Sequence, residues 1–274
     1  AFFGDVVGKP GLRLLRERLE PCLEAGGFDF AVVNGENAAA GAGLTPDTAR
    51  SMFNAGADVI TTGDHVFRRR AEFERIQDDP RVLRPANLPP AAAGHGSTVV
   101  ESHDGVRVGV INLLGRVFMD PADCPFRTVD ALVDELAGRA DLIVVDFHAE
   151  ASSEKVAMGW HLDGRVAAVV GTHTHVPTAD AQVLEKGTAY ITDLGMVGAY
   201  HGVIGRVKER VLHRFRTGMP TPFNLAEKDV RGPGLGVTVD LATGLALAVK
   251  PLMLGDPPPT RFRPATGSAT RPTP

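Results

Sequence analysis

With 274 residues, 43% of them hydrophobic and 23% charged, the chain has the balance of an ordinary globular protein able to bury a core. A formal net charge of −4 gives no global attraction to nucleic acid or anionic membrane, so a polymeric nucleic-acid partner is not expected. The two cysteines, Cys22 and Cys124, lack a CxxC spacing and argue against both a disulfide framework and a thiolate metal site.

The first apolar run, FFGDVVG, reads as a strand, followed by a helix from Pro10 to Ala25 with Leu12, Leu15 and Leu19 on one face and by the strand FDFAVVNGEN. The chain opens at AFFGDVVG without a methionine, which predicts that a few residues of the first strand precede Ala1. A helix over Pro46 to Ala55, the strand DVITTG, a short charged helix around Arg69 to Gln77 and the strand VLRPANL come next. In TVVESHDGVRVGVINLLG, the Asp104-Gly105 step predicts an antiparallel hairpin turning at His103-Asp104-Gly105.

Further on, Val129 to Leu136 reads as helix, DLIVVDF as strand, Ser152 to Trp160 as helix and AAVVGTHTH as strand. The last third is richer in β signals, with TAYITDLG and the hairpin-like GVTVDLATGLALAV, interrupted by a basic helix at Arg206 to Arg216. Residues 1–255 read as a single α/β domain, and the Pro-, Thr- and Arg-rich tail 256–274 reads as disordered. No apolar run approaches the roughly 20 residues of a membrane helix and no signal pattern opens the sequence, so no membrane partner and a reducing, cytoplasmic setting are expected.

Five apolar runs end in residues able to bind a hard or borderline metal: Asp5, Glu36 and Asn37, Asp64 and His65, His148 and Glu150, and His173 and His175. Taken singly, Glu36-Asn37 reads better as an ordinary turn and His148 as a satisfied strand-end histidine. Asp5 reads equally well as a turn or helix-entry acid and as a functional one, and the His173 and His175 pair is the stronger signal. Together they form a pattern, because ligands of open α/β folds gather at the carboxyl ends of the strands. Four of the nine histidines follow such runs, whereas His95, His103, His161, His201 and His213 fall in loops or on helix faces. In extended chain His173 and His175 project to the same side. A mixed imidazole and carboxylate set without thiolate suits manganese, iron or zinc, and its size suggests two ions sharing a carboxylate.

In chain order, GDVVG, NGEN, TGDH, DFHAEASSEK and GTHTHVPTAD resemble the metal-site motifs of the calcineurin-like metallophosphoesterases, and more narrowly the bacterial YmdB-type branch of cyclic-nucleotide phosphodiesterases. The likeness runs from the first residues to about TAYITDLGMVGAYHGVIG. It implies a four-layer α/β/β/α sandwich with a dimetal site at the carboxyl edge of the strands. Asp5, Glu36 and His175 would hold one ion and Glu36, Asp64, His148 and His173 the other, with Glu36 as bridge and Asn37 beside them. The ions would be two divalent or mixed-valence metals, iron or manganese first and zinc as an alternative. His65 would be the general acid.

The implied function is hydrolysis of a small phosphate diester, a 2',3'- or 3',5'-cyclic nucleotide, by a metal-bridging hydroxide. A homo-oligomer stays open. Lys9, Lys155 and Arg68 to Arg70 are the cations closest in sequence to the motifs. Rival readings are a non-catalytic metal- or nucleotide-binding regulator and a metal-dependent amidohydrolase, although the latter is usually a barrel with its His pair on the first strand.

Two departures stand out. The wider superfamily has a histidine where this chain has Val7, a histidine that the YmdB branch also lacks. Both groups usually read Gly-Asn-His where this chain has Gly63-Asp64-His65. A carboxylate for an amide lowers the charge of a dimetal centre by one, which predicts tighter metal retention at Asp64 but a weaker Lewis acid and a higher pKa for bound water.

Overall fold

The computed structural model describes residues 1–256; the expected tail therefore lies outside the described residues apart from Asp256. The first half forms β1 (Phe2–Phe3), β2 (Asp5–Val6), α1 (Gly8–Gly26), β3 (Val32–Asn34), α2 (Pro46–Phe53), β4 (Val59–Thr61) and α3 (Arg70–Phe73). It continues with β5 (Ser97–Glu101), β6 (Arg107–Leu114), α4 (Pro125–Leu136), β7 (Leu142–His148), α5 (Ser152–Leu162) and β8 (Ala168–Thr172). Last come β9 (Gln182–Val183), β10 (Ala189–Ile191), β11 (Met196–Ala199), α6 (Lys208–Thr217), β12 (Val230–Asp240) and β13 (Leu245–Leu254).

The fold is mixed α/β with two sheets. One is seven-stranded, ordered β2-β11-β12-β1-β3-β4 with β13 on β12, and the other is six-stranded, ordered β5-β6-β7-β8-β10-β9. Strands β1, β3 and β4 run parallel in the first sheet, and β6, β7, β8 and β10 run parallel in the second. Leu15, Leu19, Met52, Ala49 and Phe73 pack helices against the first sheet through Phe3, Val33 and Ile60. Val129, Val133, Met158 and Leu162 do the same against the second sheet through Ile111, Val145 and Val169. A third buried cluster draws Phe2, Val32 and Val59 from the first sheet together with Val110, Val144 and Val170 from the second. Two-sided burial explains why these strands read as continuous apolar runs rather than alternating ones.

Several elements differ from expectation for local reasons. The first run is broken at Gly4, where a Cβ would stand 2.0 Å from the Gly195 carbonyl oxygen. The close approach lets β1 pair with β3 and β12 while β2 pairs with β11. In α1, Leu14 rather than Leu12 joins Leu15 and Leu19 in the buried set. Helix α2 starts where predicted because Thr45 and Thr48 form a reciprocal capping box in front of Pro46, worth about 1 kcal/mol. VLRPANL is no strand: only bridge contacts at Val82 and Leu83 form, and Asn87 instead donates to the Leu114 and Asp123 carbonyls. The predicted hairpin is present, with β5 and β6 antiparallel and Gly105 at φ 80°.

Candidate metal centre

The parallel strands carry their donors to one edge. Asp5 begins β2, Glu36 and Asn37 follow β3, Asp64 and His65 follow β4, His148 closes β7, and His173 and His175 follow β8. Glu36, Asp64, His148 and His173 each offer an atom within 4.8 Å of all the others. His148 Nε2 lies 3.3 Å from Glu36 Oε2, 3.2 Å from Asp64 Oδ1 and 3.0 Å from His173 Nδ1, and His173 Nδ1 lies 3.4 Å from Asp64 Oδ1. Gly63 makes this convergence possible, since a Cβ there would sit 2.2 Å from His148 Nε2 and 2.4 Å from Glu36 Oε2.

Asp5 and His175 stand beside this quartet at longer range. His175 Nε2 is 3.9 Å from Asp5 Oδ1 and 2.8 Å from Asn37 Oδ1. Asp5 is buried, and its Oδ1 has no hydrogen-bond partner. An orphaned buried carboxylate oxygen is costly unless a cation serves it. That oxygen, together with the imidazole and carboxylate donors around it, fits a divalent ion of the hard or borderline kind.

The outward nitrogens of the three histidines are also tied, as metal-binding histidines usually are. His148 Nδ1 is 2.9 Å from Thr172 Oγ1, which donates to Asp146 Oδ1 at 2.7 Å. Asp146 also accepts from Thr61 Oγ1 and Asn34 Nδ2, and burial pushes its carboxyl above the usual range. His175 Nδ1 donates to the Ile204 carbonyl at 3.2 Å. His173 Nε2 meets Glu150 Oε2 at 3.0 Å, which gives Glu150 an orienting place rather than a position inside the quartet.

Within the cluster, carboxylates and imidazoles pair with one another. Burial alone would raise the Glu36 carboxyl, but charge and hydrogen bonds from His148 and His65 hold it well below the carboxylate range. Asp64 is likewise held low against burial by bonds to His148 and His173. Burial would lower His148, but Glu36 and then Asp64 raise it well above the ordinary imidazole value. His65, about a third exposed, has Nδ1 3.0 Å from Glu36 Oε1 and 3.0 Å from Asn37 Nδ2, and the bond to Glu36 raises it.

Among the cations singled out in sequence, Lys155 is buried and paired with Asp193 at 2.6 Å, so it faces no substrate. Arg69 donates to the Ala39 and Ala42 carbonyls, and Arg70 pairs with Glu74 on the surface. Asp193 and Asp146 carry only a weak signal in the sequence, each being one acid inside or just after an apolar run.

The fold and this edge define a mixed α/β protein with a histidine and carboxylate centre at the ends of its parallel strands. The sequence model for YmdB-like proteins matches residues 1–252. The chain belongs to that family. It is 45% identical over 255 residues, covering 93% of this chain and 96% of the relative, to the 2',3'-cyclic-nucleotide 2'-phosphodiesterase of Bacillus subtilis (strain 168). A hypothetical protein from Thermus thermophilus superposes with a TM-score of 0.87 at 41% identity, over 93% of this chain and 98% of the other. A novel phosphatase from Mycoplasma pneumoniae superposes at 0.86 with 33% identity, over 92% and 91% of the two chains.

Proposed function

We propose that this chain is a metal-dependent phosphodiesterase that hydrolyses a small phosphate diester, a 2',3'- or 3',5'-cyclic nucleotide. The observation that carries the reading is the four-donor cluster beside the orphaned Asp5 Oδ1, at the strand ends and next to His65. Kinship to the Bacillus cyclic-nucleotide enzyme supports the substrate class.

Glu36, Asp64, His148 and His173 would hold one ion, and Asp5, Glu36 and His175 a second, with Glu36 shared. Two such ions, iron or manganese first and zinc as an alternative, would supply charge neutralisation at the phosphoryl oxygens and a nucleophilic water at neutral pH. Asn37 links the halves, its Oδ1 toward His175 and its Nδ2 toward His65. As an imidazolium, His65 would keep Nδ1–H on Glu36 Oε1 and give its Nε2 proton to the departing alkoxide, returning to neutral imidazole. Asp146, Thr172 and Glu150 hold the imidazole rings in register. The two sheets, with α1 and α2 outside one and α4 and α5 outside the other, support a single four-layer α/β/β/α domain.

Metal analysis of natively purified protein combined with turnover of 2',3'- and 3',5'-cyclic nucleotides tests the reading. About two ions per chain and turnover of at least one cyclic nucleotide are expected. Turnover of amide substrates instead would indicate an amidohydrolase, and nucleotide binding by metal-replete protein without turnover would indicate a regulator. Among the described residues no helix is long and apolar enough to cross a membrane.

A further inference from the structure

We propose that the buried Lys155–Asp193 ion pair is a positioning device for the site, holding the His173-Thr174-His175 turn so that both imidazoles enter the centre. The proposal rests on the metal reading above.

The turn is not self-supporting. His173 has φ 104° and His175 φ 65°, left-handed conformations that non-glycine residues hold only when their surroundings enforce them. Two carboxylates do so here. At one end Asp5 Oδ2 accepts from His173 N–H at 3.1 Å. In the middle Asp193 Oδ2 accepts from Thr174 N–H at 3.2 Å and from the Thr174 hydroxyl at 2.8 Å. Beyond it, Asp193 N–H donates to Thr178 Oγ1 at 2.9 Å, and Thr178 N–H donates back to the Asp193 carbonyl at 3.0 Å.

Lys155 fixes the carboxylate itself. Its ammonium reaches Asp193 Oδ2 at 2.6 Å from α5, while Gly195 N–H takes Oδ1 at 2.8 Å. Its stem passes over Gly171, where a Cβ would lie 2.9 Å from Lys155 Cδ and 1.7 Å from the Thr192 carbonyl oxygen. Stability alone is a poor reason for such a pair, because well-packed apolar residues often replace buried ion pairs without loss. An apolar pair could not, however, offer a fixed acceptor to Thr174.

The test titrates chelator-stripped full-length protein with Mn(II) by calorimetry, alongside thermal unfolding of the stripped form. Asp193→Asn is expected to weaken Mn(II) binding about 10–100-fold, as loss of outer partners of metal ligands does. Thr174→Val leaves the ion pair intact, should unfold close to wild type, and is expected to lose about 2–10-fold in affinity, the worth of one hydrogen bond. The double variant Lys155→Met with Asp193→Leu separates positioning from packing: thermal stability should return while Mn(II) affinity stays low. Wild-type affinity in folded Thr174→Val, or affinity recovered together with stability in the double variant, would overturn the proposal. If Asp193→Asn does not fold, Thr174→Val decides alone. A wild-type chain that binds no Mn(II) overturns the metal reading and this inference with it.

Discussion

The Glu36–Asp64–His148–His173 quartet and the Asp5–His175 pair use the same two side-chain types, yet they satisfy themselves differently. In the quartet each carboxylate lies within hydrogen-bonding reach of an imidazole, so opposite charges offset one another without an ion. In the pair His175 Nε2 stands 3.9 Å from Asp5 Oδ1, which is buried and unpartnered. The quartet donors thus lie within reach of one another, whereas Asp5 Oδ1 lies beyond hydrogen-bonding reach of any imidazole. The same donors can be preformed by mutual pairing or by a backbone that leaves one of them waiting.

Glu36→Gln strikes both halves at once. Mn(II) affinity is expected to fall by more than about 100-fold, since even outer partners are worth 10–100-fold, with cyclic-nucleotide turnover at background; two tightly held ions in the variant would break the shared-ligand assignment. His65→Ala should cost about 10²–10⁴ in rate while elemental analysis finds the metal content intact. An unchanged rate would remove His65 as proton donor.

Asp5→Asn bears on the comparison directly. It should weaken one of two binding events by about 10–100-fold and spare the other, so a calorimetric isotherm with both events weakened alike would erase the distinction between the halves. Asp64→Asn gives the Gly-Asn-His that the resemblance implies at this place. Mn(II) affinity at the quartet should fall by about tenfold and the acid limb of the pH–rate profile should move to lower pH. Identical affinity and an identical profile would show that the carboxylate changes nothing.

The smallest expected effect is on the stability of chelator-stripped protein. Glu36 and Asp64 are held below their unfolded values, so their contribution is present above about pH 4 and fades as the pH falls through their folded values. His148 is raised, so its contribution is complete below about pH 6.5 and fades as the pH rises through its folded value. The thermal midpoint should therefore be highest between about pH 4.5 and 6.5. A midpoint flat from about pH 5 to 9 would mean the quartet is not self-paired in solution.

Much of the framework was legible from local pattern. The β–α alternation, the start of α2 at Pro46 and the hairpin at Gly105 follow from periodicity and turn chemistry over a few residues. VLRPANL misled because its apolar residues pack without a ladder, with Asn87 supplying the bonds that strand pairing would have made. Lys155 misled for a related reason: a charged residue near a motif looks available until its stem is found lying over Gly171.

Strand period and residue identity are local, so the chain alone places acid, amide and imidazole donors at the ends of five apolar runs. Only packing brings Gly63 beneath His148 and Glu36, turns Glu150 to His173 and carries Asp193 to Thr174. Residues 5, 36, 64, 148 and 173 share one edge only because two sheets pack together. Distances of 3 to 4 Å between them are properties of that packing, which no window along the chain contains.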